Sequence, residues 1–145
     1  MRKGLTMLEI LISIAVIAVV VIIIASALAA FRRSADLASA VDGVSAQLRE
    51  ARRRTIESKD ASRWGVHVES SRTTLFKGAT YLPGAADNEV SGLPSTVTIA
   101  GLADIVFKRI SGDTDNSGTL TITSTQDTSK TKTIIIRSSG LIEVP

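Results

Sequence analysis

The chain has 145 residues, 17 Lys and Arg against 14 Asp and Glu, a formal net charge of +3 and no cysteine. Without cysteine there is no disulfide framework, thiolate nucleophile or thiolate metal site. One Trp, one Tyr and three Phe argue against an aromatic platform for single-stranded nucleic acid.

The N-terminus reads Arg2-Lys3-Gly4-Leu5-Thr6-Met7-Leu8-Glu9 and runs into an almost uncharged apolar stretch from Ile10 to Phe31. Between Leu5 and Phe31 the only polar side chains are Thr6, Glu9, Ser13 and Ser26, with no Gly or Pro. The pattern predicts one continuous helix long enough to span a bilayer. A charged side chain there costs about 2.5 to 3.5 kcal/mol on insertion scales, so an intramembrane Glu reads as functional. Two basic residues, Gly4 and an apolar run have the form of a processing site. Cleavage after Gly4 would free an α-amino group on Leu5, about 6 Å along the helix axis from Glu9. An ordinary secretory signal has an apolar region of only about 7 to 15 residues, and a plain anchor leaves Glu9 unexplained. Losing Arg2 and Lys3 takes the formal charge from +3 to 3 − 2 = +1, too little for a strong field.

Gly4, Thr6, Leu8 and Glu9 resemble the class III signal of type IV pilins and type II secretion pseudopilins, with Leu5 in place of the usual aromatic or Met and Met7 in place of the commoner Leu. The resemblance implies that a prepilin peptidase cleaves after Gly4 and methylates the Leu5 amine. It also implies that Glu9 pairs with the Leu5 amine of a neighbouring subunit during filament assembly. The implied location is the cytoplasmic (inner) membrane, single-pass with the head extracytoplasmic, and then a periplasmic or cell-surface filament. The implied partners are other pilin or pseudopilin subunits, the inner-membrane assembly platform and membrane lipid.

Further along, Ala25 with Ala29 and Ser26 with Ala30 place small residues at a spacing that permits close helix approach. Leu37, Val41, Val44, Leu48, Ala51 and Thr55 form the stripe of an amphipathic helix reaching about Lys59, weakened at Gly43 by up to about 1 kcal/mol. After Asp60 the texture changes to short Val-, Ile- and Thr-rich segments between Gly, Pro, Asn, Asp and Ser clusters, which predicts strands. Trp64 to Val68 and Thr73 to Lys77 read as a hairpin, and Tyr81 to Pro94 as a loop. Ser95 to Ile99, Ile105 to Ile110, Thr119 to Thr123, Thr133 to Arg137 and Leu141 to Val144 follow as strands, with Gly140 turning the last pair.

The expected fold is therefore α+β, a long N-terminal helix packed on a small antiparallel β-sheet head. Residues 1–4 would be the leader, 5–31 the transmembrane stem, 32–60 its amphipathic continuation and 61–145 the head. Gln47 to Arg52, Trp64-Gly65-Val66, Phe107 to Gly112, Gly118 to Ile122, Ile134 to Ile136 and Gly140 resemble the GspH/FimT-like minor pseudopilin domain. That resemblance implies a minor subunit and, as an alternative, a DNA- or ligand-binding pilin of the kind used in DNA uptake.

Asp113-Thr114-Asp115-Asn116-Ser117-Gly118 opens with the spacing of a calcium loop, but Ser124 stands where a bidentate Glu is required. A plain hairpin turn is the first reading, with Asp113 and Asp115 as the calcium alternative; no other cofactor is expected. Arg49, Arg52 and Arg53 are candidates for contact with phosphate or DNA, although Glu50, Glu57 and Asp60 interleave and favour a solvated face. His67 is the only histidine, and Val66 and Val68 beside it place it on the face opposite the apolar one. With no Cys, one His and no glycine-rich phosphate loop, acid–base and nucleophilic catalysis lack their participants. No enzyme is expected.

Overall fold

A computed structural model describes residues 6–58 and 61–145. Gly4 and Leu5, the expected cleavage position, lie outside the described residues, as do Lys59 and Asp60. The chain divides into two compact units, residues 1–35 and 36–145. Helix α1, Met7–Ile56, contributes residues 7–35 to the first and 36–56 to the second.

From Ile10 to Phe31 α1 is apolar all round. Large side chains from Met7 to Phe31 are exposed, and by length and composition this helix could cross a membrane. Its serines leave no hydroxyl unsatisfied. Ser13 Oγ donates to the Glu9 carbonyl at 2.7 Å and Ser26 Oγ to that of Ile23 at 2.8 Å, as an apolar surrounding demands.

In the second unit Leu37, Val41, Val44, Leu48, Ala51 and Thr55 are no more than 6 % exposed. The stripe is therefore a core face, each large side chain contributing about 1.5 to 3 kcal/mol by burial. It packs into one apolar cluster with residues of two four-stranded antiparallel sheets. The strands are β1 Trp64–Glu69, β2 Arg72–Lys77, β3 Glu89–Gly92, β4 Val97–Gly101, β5 Asp104–Val106, β6 Gly118–Ser124, β7 Thr131–Ile136 and β8 Ile142–Glu143. One sheet has the order β3-β2-β1-β5 and the other β4-β6-β7-β8. Alternation decides what faces inward: Val66 and Val68 on β1, Val97 and Ile99 on β4, Leu120 and Ile122 on β6, Ile134 and Ile136 on β7. Thr55 links helix to sheet, its buried Oγ1 donating to the Ala51 carbonyl at 2.8 Å and accepting the Trp64 amide at 2.9 Å.

The head departs from the sequence reading in four places. It contains two sheets. Within the expected loop from Tyr81 to Pro94, β3 pairs with β2. All four β3 side chains are exposed, so no alternation marks it. The strand expected to reach Ile110 stops at Val106 because the chain turns, with Ile110 left-handed at φ 73 and the Lys108 amide donating to the Asp113 carbonyl at 2.7 Å. Finally, Asp113 to Gly118 does not turn a hairpin. It carries the chain from one sheet to the other, since β5 pairs with β1 while β6 pairs with β4 and β7.

Candidate functional site

At the start of α1, Thr6 is the N-cap. Its carbonyl accepts the amides of Glu9 at 3.1 Å and Ile10 at 3.2 Å, and its Oγ1 accepts the Glu9 amide at 3.2 Å. Thr6-Met7-Leu8-Glu9 is thus a capping-box sequence, with the Glu at the third helical position. Sequence reading missed this signal, in which the bond from Glu9 runs through its backbone amide. The Glu9 carboxylate has no hydrogen bond or ion pair among the described residues. A carboxylate in the first helical turn faces the positive end of the macrodipole, and it retains acceptor capacity for a cation brought from elsewhere.

The arginines of the second unit have separate partners. Arg53 is clamped between two carboxylates, donating to both oxygens of Glu50 at 2.7 and 2.8 Å and to Glu57 at 2.7 and 2.8 Å. Arg54 donates to Glu50 at 2.6 Å and to Glu89 of β3 at 2.5 Å, and its guanidinium lies 4.8 Å from the centre of the Trp64 ring. This bond ties the exposed edge strand to the helix. Arg52 turns to the backbone, its Nε donating to the Gly112 carbonyl at 3.3 Å and its Nη2 to that of Ser139 at 3.4 Å. Arg49 has no partner among the described residues. The sequence cluster of Arg49, Arg52 and Arg53 therefore presents one unpaired guanidinium, one half-engaged and one neutralised.

Two guanidinium groups on one carboxylate have a pH signature. Hydrogen bonds from Arg53 first and Arg54 second, opposed by partial burial, pull the Glu50 carboxyl from 4.5 down to about 2. Protonation is then harder in the fold than in the unfolded chain, so Glu50 contributes stability that is full above about pH 4.5 and lost as pH falls toward 2. Thermal melts should show Tm declining through that window, with a smaller decline in Glu50→Gln. Equal slopes in the two proteins would contradict it.

Arg49, Arg52, Ile56, Glu57 and Leu141 border a cavity of about 380 Å³. Gly140, in the left-handed region at φ 72, lines it and packs against Gly112, left-handed at φ 71. A Cβ on Gly140 would lie 1.9 Å from the Gly112 carbonyl oxygen and 2.8 Å from Arg52 Nε.

Asp115 accepts a hydrogen bond from Lys108 Nζ at 2.5 Å, and the Asp113 amide is 3.3 Å from Ser111 Oγ. Among the described residues no three His, Cys, Asp or Glu side chains are grouped to hold a metal ion, and an ammonium already occupies the carboxylate that calcium would need. His67 stacks on Tyr81 with ring centres 3.9 Å apart and 8° between planes, and its Nδ1 lies 2.7 Å from Asp104 Oδ1. Tyr81 also meets Phe76 edge-on at 5.6 Å. The outer face of the first sheet thus carries a ring stack of its own, assembled from residues too far apart in sequence to signal it.

No family model and no curated protein matches the chain. Solved structures do. The type IV minor pilin FimU of Pseudomonas aeruginosa superposes with a TM-score of 0.63 at 14% identity, over 79% of this chain and 92% of that one; a second crystal form gives 0.59 at 15% identity, over 75% and 92%. The minor pseudopilin EpsH of the Type 2 Secretion System of Vibrio cholerae superposes with a TM-score of 0.58 at 13% identity, over 76% and 96%. The chain has a pilin-like fold. Similarity at this level of identity establishes architecture, whereas any activity must be argued from the residues themselves.

Proposed function

We propose that this chain is a structural subunit of a type IV pilus-like or type II secretion filament, a minor pilin or pseudopilin rather than an enzyme. It enters the inner membrane as a precursor, is cut by a prepilin peptidase between Gly4 and Leu5, is methylated at the Leu5 amine, and is recruited through its apolar helix. The observation that carries this reading is a pilin-like head joined to a helix whose residues 7–31 are apolar on every side and hold a single carboxylate, Glu9. An exposed apolar surface of that size needs lipid or like helices to cover it. A carboxylate inside it needs a cation, which a newly freed terminal amine at Leu5 would supply.

Mass spectrometry of the N-terminus tests it. Natively expressed protein should begin at a methylated Leu5, and Gly4→Leu should leave a precursor that keeps Arg2 and Lys3. A native chain that still carries Met1, or that starts beyond position 5, would overturn the proposal. The second reading, a DNA-binding pilin, rests on Arg49, Arg52 and Arg53. The carboxylates of Glu50 and Glu57 closing on Arg53 weaken it, because they meet a polyanion with like charge.

A further inference from the structure

We infer that the cavity beside Arg49 and Arg52 is a docking site for a short acidic segment of another filament subunit, one carboxylate flanked by aliphatic side chains. The inference rests on the filament reading above. Its ground is charge complementarity joined to apolar exposure. Arg49 is exposed and unpaired among the described residues. Arg52 lies beside it, held in place by the Gly112 and Ser139 carbonyls through Nε and Nη2, while its Nη1 makes no hydrogen bond among the described residues. A carboxylate between them meets charge-assisted donors from one side chain fixed in advance and one able to close. Next to these cations Ile56 and Leu141 are 41% and 49% exposed, aliphatic surface that a partner's Leu, Ile or Val would cover.

The surroundings select a single carboxylate over an extended polyanion. Arg53 and Glu57, also on the cavity wall, neutralise one another at 2.7 Å, and Glu50 joins them at 2.7 Å. A run of phosphates would be pressed against both acids, and Ile56 and Leu141 would give it nothing. The site is also rigid. Gly112 and Gly140 approach so closely that no Cβ fits at Gly140, and Arg52 is stitched to both turns, so little ordering cost falls on binding.

The test uses the full-length protein in zwitterionic detergent and the peptide acetyl-Leu-Asp-Leu-amide, followed by calorimetry. Saturable one-to-one binding is expected, weakened about tenfold by Arg49→Gln and by the Asp→Asn peptide, and less by Leu141→Ser, with melting curves of the variants unchanged. Absence of saturable binding overturns the inference, as does equal affinity in Arg49→Gln. Preference for a short DNA duplex through the same arginine overturns it too, in favour of nucleic acid. N-terminal mass spectrometry on the same preparation separates the two readings. A processed chain that fails to bind overturns only the docking site, whereas a binding chain that is never processed overturns only the filament role.

Discussion

Glu9→Val should insert into the membrane at least as well as the parent chain and fail to enter filaments. Replacing the carboxylate removes the cost of placing a charge at the edge of the hydrocarbon, so the precursor loses nothing on insertion. Assembly is different. If the Leu5 amine of a neighbour is neutralised by Glu9, the substitution leaves a cation without its partner in an apolar filament core, a loss of about 3 to 5 kcal/mol. At about 1.4 kcal/mol per factor of ten, incorporation should drop by at least a hundredfold. Sheared filaments and membranes, blotted separately, give the two quantities. Glu9→Gln distinguishes charge from helix capping, because Gln serves at the third position of a capping box as well as Glu does while carrying no charge. Incorporation of Glu9→Gln at the parental level would transfer the role of Glu9 from pairing to capping.

Gly140→Ala should be the most damaging single-methyl change in the head. Gly140 sits at φ 72, where an added Cβ would lie 1.9 Å from the Gly112 carbonyl oxygen. The left-handed conformation alone costs a non-glycine residue about 1 to 2 kcal/mol, and displacing the Gly112 turn should add several more by breaking the Arg52 bonds and reopening the packing around Ile56. Gly84 isolates the first contribution. It has φ 77 with nothing within 4 Å of an added Cβ, so Gly84→Ala should cost only about 1 to 2 kcal/mol. Denaturant melts of the two variants decide it: Gly140→Ala should lose at least twice what Gly84→Ala loses, and equal losses would show that the turns at 112 and 140 move apart freely.

The two variants also mark the limit of sequence reading in this chain. Gly140 is legible as a turn because Gly follows Ser138-Ser139 and precedes a strand. Nothing local signals that it is pressed against Gly112, 28 positions away. Likewise Arg49, Arg52 and Arg53 look alike in sequence, and their different fates depend on partners at Glu57, Gly112 and Ser139. The edge strand β3 escapes notice because its side chains are all exposed and Arg54 holds it from 35 positions away. Thr6-x-x-Glu9, by contrast, was readable as a cap, and the stronger signal of a charge in an apolar run obscured it.

What this sequence determined by itself was set by short-range periodicity. An unbroken apolar run from Ile10 to Phe31 makes a helix, a stripe from Leu37 to Thr55 gives it a core face, and alternation in Leu120 to Ile122 and Ile134 to Ile136 makes strands, because those periods are properties of neighbouring residues. The tertiary structure decided the split into two sheets, the edge at β3 and the separate fates of Arg49, Arg52 and Arg53. Each depends on which distant groups meet, and a hydrogen bond or a close contact between residues tens of positions apart leaves no period in the sequence to read.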